Sequence, residues 1–316
     1  MVNINMAWLQ LVIQANTDQA ANLSDILSDA GSSAVTLRDA ADQPLYEPPL
    51  GETPLWHDTE VIGLFDASTD MDAVLLTITN TLGHCPRYTL NPLEDKDWVR
   101  EWMTHFKPTA FGKKLWIVPS HHAEQHVIEH PDAINILLDP GLAFGTGTHP
   151  TTAMCLEYLD QAFLDHSNLN QADSDKNSLQ NRTVIDYGCG SGILAIAAAK
   201  LGAKEILAID NDPQALLSTE ENAKKNQVSN LFQISLPEHN SNKIKADILV
   251  ANILAKPLIE LAPHFATLVK DNGKIALSGI LSEQSADVLT AYSELFDMKV
   301  YKQQEDWVCL AGKKKC

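Results

Sequence analysis

Three stretches of the 316-residue sequence carry residue types whose spacing could do chemistry together. The first is "TVIDYGCGSGILAIAAAK", an apolar run meeting Gly188, Gly190 and Gly192 ahead of an alanine-rich segment. Glycines at alternate positions let a backbone come close to a ligand, and a helix beginning at Ile193 offers unpaired N–H groups to an anion. The spacing is GxGxG, not the GxGxxG of dinucleotide sites, because Ile193 stands where the third glycine would be. The second stretch, "KEILAIDNDPQALL", reads as a strand ending at Asp210. An acid at that strand end can accept hydrogen bonds from both hydroxyls of a ribose. Asp212 and Pro213 suit the N-cap and first position of the next helix, which leaves Asp210 for a ligand. A ribose acceptor without the pyrophosphate fingerprint points to an adenosyl group. In the third stretch, "ADILVANILAKP", a strand from Asp247 to Ala251 ends in Asn252. At the carboxyl edge of a parallel sheet that side chain presents a carbonyl acceptor and amide donors to a ligand.

A further segment, "LDPGLAFGTGTHPTTAMCLEYL", joins a glycine-rich loop to a helix start, with Thr148 as the expected N-cap and Thr151 and Thr152 in the first turn. His149 beside it reads either as a base or as a structural loop histidine. Cys189 lies inside the glycine turn near a helix start, which could lower a thiol pKa; passive packing is the simpler role. His122, His126 and His130 are spaced by four and would share a helix face. They lack the HExxH order of a zinc site and Pro131 ends any helix there, so no metal is expected.

These residues need a sheet to position them. From Thr183 to the end, strand-like and helix-like segments alternate, the pattern of a parallel sheet covered on both faces. "KKLWIVPS" and "AINILLDP" add two strands before it. The N-terminal region reads differently. "MAWLQLVIQAN" is a strand, followed by a helix from an N-cap at Thr17 to a stop at Gly31. "SAVTLRDA" and "TEVIGLFDA" are strands, "DMDAVLLTITNTLG" a helix and "PRYTLNPL" a last strand. The order β-α-β-β-α-β is the split βαβ pattern of a small α+β sandwich. The expected organisation is an N-terminal domain over 1–93, a linker helix over 94–110 bearing Trp98 and Trp102 on one face, and an α/β domain over 111–316. The polar stretch 166–182 is expected to be a loop.

Composition narrows the partners. The chain has 23 Lys and Arg against 41 Asp and Glu, a net charge of −18, which disfavours direct binding of nucleic acid. Residues 1–84 hold twelve acids and one basic residue, Arg38, a surface that is either solubilising or made to dock a basic protein. Five cysteines without a CxxC pair suit a reducing cytoplasm. No apolar stretch approaches the ~20 residues of a membrane span.

Taken together, "LDPGLAFGTGTHPTT", "VIDYGCGSGILAIAAAKLGA", "AIDNDPQA" and "VANILA" resemble one family closely, the ribosomal protein L11 lysine methyltransferases. "DWVREWMTHFKPTAFGKKLWIVPS" is similar to that family's connecting segment, so the resemblance spans nearly the whole chain. It implies a Rossmann-like seven-stranded methyltransferase sheet and a small N-terminal domain that recognises L11. It also implies S-adenosylmethionine as cofactor, and lysine or N-terminal amines of L11 as acceptors; the chain itself is expected to be a cytoplasmic monomer. The family's cofactor residues fall on Thr152, Gly188, Asp210 and Asn252, with Gly190 in the same turn and Asn252 aiming the acceptor amine. Other readings remain: a methyltransferase for another protein or a small amine, a dinucleotide oxidoreductase, which the glycine spacing opposes, and a non-catalytic sensor of the adenosyl group, which an intact "NIL" opposes.

Overall fold

The computed structural model describes residues 6–41, 43, 54–94, 106–139, 147, 149–167, 181–239 and 244–316. The chain divides into two compact units, Met1–Glu101 and Trp102–Cys316.

In the first unit, β1 (Met6–Asn16), β2 (Ala34–Asp39), β3 (Asp58–Asp66) and β4 (Tyr88–Glu94) form an antiparallel sheet in the order β2-β3-β1-β4. Helices α1 (Thr17–Asp29) and α2 (Met71–Leu82) follow β1 and β3. Period-two alternation sends Leu11, Ile13, Val61 and Phe65 to one face, where they bury against Leu23, Leu27, Val74 and Ile78 of the helices. The N-cap of α1 is Asn16, not Thr17. Asn16 Oδ1 accepts Gln19 N–H at 3.0 Å, and Gln19 Oε1 accepts Asn16 N–H at 3.3 Å, a reciprocal capping box. The Thr17 hydroxyl donates instead to the Trp56 carbonyl, 3.0 Å away.

The second unit opens with a small sheet of β5 (Thr109–Phe111), β6 (Leu115–Val118) and β7 (Ile134–Leu137), β5 antiparallel to β6 and β6 parallel to β7. Helix α3 (Ala123–Glu129) connects β6 to β7. Helix α4 (Pro150–Ser167) leads towards the main sheet. That sheet holds β8 (Thr183–Tyr187), β9 (Glu205–Ile209), β10 (Phe232–Ser235), β11 (Ala246–Asn252), β12 (Val269–Leu281), β13 (Phe296–Gln304) and β14 (Trp307–Lys314). Their order is β10-β9-β8-β11-β12-β14-β13. Helices α5 (Ile193–Lys200), α6 (Pro213–Lys225), α7 (Ala255–Leu268) and α8 (Ser285–Tyr292) make the connections.

The central strands are buried on both faces, which is why they read as continuous apolar runs. Val184, Ile206 and Val250 pack on the side of α4 and α5, while Ile185, Leu207 and Leu249 pack on the side of α7 and α8. Seven of the eight residues of α5 are buried, so this helix is apolar all round and sits inside the core. The parallel alternation stops at β12. The last two strands form a hairpin, β13 antiparallel to β14 and β14 antiparallel to β12. Two loop residues, Glu305 and Asp306, separate the paired Gln304 and Trp307, and Glu305 takes a left-handed φ of 54°.

The linker expected over 94–110, with Trp98 and Trp102, falls largely outside the described residues, as does most of the polar stretch 166–182. Among the described residues no helix is long and apolar enough to cross a membrane.

Candidate active site

Strand order reverses between β8 and β11, with β9 and β10 to one side and β12 to the other. Open α/β sheets bind ligands in the crevice beyond the carboxyl ends of the strands at such a switch point. Tyr187 ends β8 and Asn252 ends β11, so the glycine turn and Asn252 flank that crevice.

The turn is tied to the neighbouring strand. Gly188 N–H and Cys189 N–H both donate to the Ile209 carbonyl, at 2.7 and 3.0 Å, which brings Asp210 beside the glycines. Gly188, Gly190 and Gly192 have φ of 80°, 54° and 78°, values that cost a residue with a Cβ about 1–2 kcal/mol each. Asp210 meets the turn directly. Its Oδ2 accepts Gly190 N–H at 2.9 Å and its Oδ1 accepts Asp212 N–H at 3.0 Å. Asp212 caps α6 through Gln214 N–H, with Pro213 in the first turn, so the cap and Asp210 are separate as expected. A carboxylate has about four acceptor positions, so two remain on Asp210 for ribose hydroxyls.

Asp186 has a role that the sequence reading did not assign. It is buried within β8 and its Oδ2 accepts Ala195 N–H at 2.9 Å, satisfying a donor in the first turn of α5 where Gly192 has no side chain to do so. Its Oδ1 is buried without a hydrogen-bond partner among the described groups. Burial pushes its pKa up to about 7; the Ala195 hydrogen bond opposes that rise and the Asp210 charge adds to it. An acid in an otherwise apolar strand is the signal that marks it.

Cys189 is buried, and the Thr219 hydroxyl donates to its sulfur at 3.3 Å and to the Gly190 carbonyl at 3.0 Å. The helix start would lower this thiol, but burial wins and pushes it up, so Cys189 packs.

Thr152 and Asn252, one hundred residues apart, meet. Asn252 Nδ2 donates to Thr152 Oγ1 at 3.1 Å, which fixes the amide's orientation and leaves Oδ1 as its acceptor end. Thr152 is itself buried in the first turn of α4, where its N–H and that of Ala153 donate to the His149 carbonyl. His149 Nδ1 lies 2.7 Å from the Thr151 hydroxyl and accepts Thr151 N–H at 3.4 Å, which puts the ring proton on Nε2. Burial lowers the His149 pKa, and its ring packs edge-on to Trp307 at 5.1 Å. His149 therefore holds the start of α4. Of the glycine-rich loop before it, Gly147 is described and residues 140–146 and Thr148 are not. A Cβ on Gly147 would lie 2.2 Å from Ile117 Cδ1 and 3.3 Å from Ile193 Cδ1, so Gly147 itself sits close against β6 and the start of α5.

The histidine-rich run forms a 3-10 turn, Ser120–His122, and then α3. His126 is buried against Trp116 at 4.7 Å and His130 at 4.6 Å, and burial lowers its pKa. Among the described residues no three or more His, Cys, Asp or Glu are grouped to hold a metal ion.

Sheet order, glycine turn and acid-ended second strand define a Rossmann-like methyltransferase. The profile of the ribosomal protein L11 methyltransferase family (PrmA) matches residues 7–315. A ribosomal protein L11 methyltransferase of Shewanella baltica (strain OS185) is 50% identical over 312 residues, covering 98% of this chain and 100% of its own. One from Shewanella sp. (strain ANA-3) is 49% identical over the same length, with the same coverage. The crystal structure of the ribosomal protein L11 methylase from Lactobacillus delbrueckii subsp. bulgaricus aligns at TM-score 0.54 and 32% identity, covering 67% of this chain and 100% of that one. The chain belongs to the ribosomal protein L11 methyltransferase family.

Proposed function

We propose that this chain transfers methyl groups from S-adenosylmethionine to amines of ribosomal protein L11, with lysine side chains and the N-terminal amine as acceptors. The observation that carries the reading is the Asn252 amide, oriented by Thr152 at the sheet switch point beside the glycine turn. The residues fit the cofactor: three glycines in left-handed conformations leave a backbone cradle, and Asp210 retains acceptor positions for ribose hydroxyls. Thr152, Gly188, Gly190, Asp210 and Asn252 would hold it. When bound, the cofactor supplies a methyl group on a positively charged sulfur that is already a good leaving group.

The protein's work is then mostly alignment, which can contribute about 7–11 kcal/mol to lowering a barrier. The acceptor must be a neutral amine, yet a free lysine has a pKa near ~10.4. Desolvation in the crevice and a neighbouring positive charge lower that value, and the proton passes to water. Asn252 Oδ1 accepts a hydrogen bond from the neutral amine and aims its lone pair. The Ile253 carbonyl abuts Gly279, so the Asn252 side chain is the acceptor assigned to this step.

The acidic N-terminal unit suits docking of a basic ribosomal protein, and the site residues all come from one unit, so the site needs no residue from a second copy, which supports action as a monomer. At saturating cofactor, Asn252→Ala is expected to turn over about 100-fold more slowly, a loss larger than its loss of cofactor affinity. Undiminished turnover would remove Asn252 from the reaction.

A further inference from the structure

Asn252 leads into a residue held more tightly than its half-buried position requires. A Cβ built on Gly188 would lie 2.2 Å from Ile253 Cγ2, and one built on Gly279 would lie 2.3 Å from the Ile253 carbonyl oxygen and 2.8 Å from its carbon. Both glycines have left-handed backbones, φ 80° and 84°. Real Cβ atoms do not approach so closely, so each glycine is there to let Ile253 in.

The topology explains the arrangement. β11 lies between β8 and β12, and Asn252 pairs with Ser278 on β12. One residue further, at Gly279, the register of β12 with β14 shifts between Leu277 and Ile280. A left-handed glycine at such a shift is a bulge device, which bends a strand and re-aims what lies beside it. Gly188, on the other side, begins the turn assigned to the cofactor. The side chain of Ile253 touches the cofactor turn and its backbone touches the bulge.

We propose that Ile253 is a positioning residue, wedged between Gly188 and Gly279 so that the cofactor turn and the Asn252 amide are held at a fixed separation. The inference rests on the methyl-transfer reading above. Slack in the wedge would loosen the alignment of the cofactor turn with the Asn252 amide without removing any group that binds donor or acceptor.

The test uses the full chain with Ile253→Ala, Gly188→Ala and the double variant. Binding of S-adenosylhomocysteine is measured by calorimetry, and methylation of L11 by intact mass at saturating cofactor. Ile253→Ala is expected to bind close to wild type and to turn over about 10- to 100-fold more slowly, with fewer methyl groups added per acceptor. Gly188→Ala is expected to lose binding, and adding Ile253→Ala to restore part of it, because the colliding Cγ2 is gone. Gly279→Ala collides with backbone, so Ile253→Ala should not rescue it.

Full turnover in Ile253→Ala overturns the positioning role. Equal binding by Gly188→Ala and the double variant overturns the contact. If Gly188→Ala does not fold, the Ile253→Ala split between binding and turnover still decides. The binding arm needs no acceptor, so a wild-type chain that leaves L11 unmodified is read as failure of the substrate assignment, separately from the wedge.

Discussion

Replacing Asp186 by Asn should stabilise the protein, and by more as pH rises. The Asp186 carboxyl is buried in β8 with one oxygen bonded to Ala195 N–H and the other without a partner, and its pKa stands at about 7 against an ordinary 3.8. Between those values the folded chain holds a proton that the unfolded chain has released. Stability contributed by this group therefore falls as pH climbs from about 4 to about 7, with a slope up to ~1.4 kcal/mol per pH unit. From pH 5 to pH 8 the loss is about 3 kcal/mol, to the order of magnitude that such a shift allows. An Asn carbonyl can still accept Ala195 N–H and never ionises. The gain of Asp186→Asn over wild type should grow by that amount across the range, roughly 6–12 °C in melting temperature for a domain of this size. Comparing two chains at each pH cancels the effect of the net charge. Thermal and urea unfolding at pH 5, 6.5 and 8, without ligand, measures it. A pH-independent difference, or a wild type favoured more strongly at pH 8, would refute the reasoning.

Three further outcomes follow from the site. Asp210→Ala removes the acceptor of Gly190 N–H and the ribose acceptors together; S-adenosylhomocysteine affinity should fall at least tenfold by calorimetry, since hydrogen bonds to a charged group contribute about 1.5–3 kcal/mol each. Thr152→Val keeps shape but frees the Asn252 amide to rotate, so kcat at saturating cofactor should drop severalfold, by more than cofactor affinity does; equal losses in both would contradict an orienting role. Raising salt from low to physiological ionic strength should slow L11 methylation through a higher KM, because the twelve acids of residues 1–84 steer a basic partner only within a screening length. A salt-independent KM would dismiss steering.

What could be read from residues alone were features that are local and end on a strand. Gly188, Asp210 and Asn252 each close an apolar run, and a strand's end is where a parallel sheet displays ligand groups. The bond from Asn252 to Thr152 was out of reach as geometry because it joins chain segments one hundred residues apart through the packing of α4 over the sheet. The hairpin of β13 and β14 escaped notice for a different reason. Its turn uses Glu305 and Asp306, without the glycine or asparagine that marks a two-residue loop, so both strands read as members of the parallel series. At α1, Asn16 and Thr17 are both capable caps; the Trp56 carbonyl decides between them by engaging the threonine. The wedge of Ile253 is likewise invisible in "NIL", since its two glycine partners lie far off in sequence, Gly188 in the turn after β8 and Gly279 on β12.

The most direct test is intact-mass spectrometry of purified ribosomal protein L11 incubated with this protein and S-adenosylmethionine, beside an unrelated basic protein. Methyl-sized mass steps on L11 and none on the control are the predicted result. An L11 mass that does not change, under conditions where calorimetry shows the cofactor bound, would contradict the assignment of L11 as the acceptor.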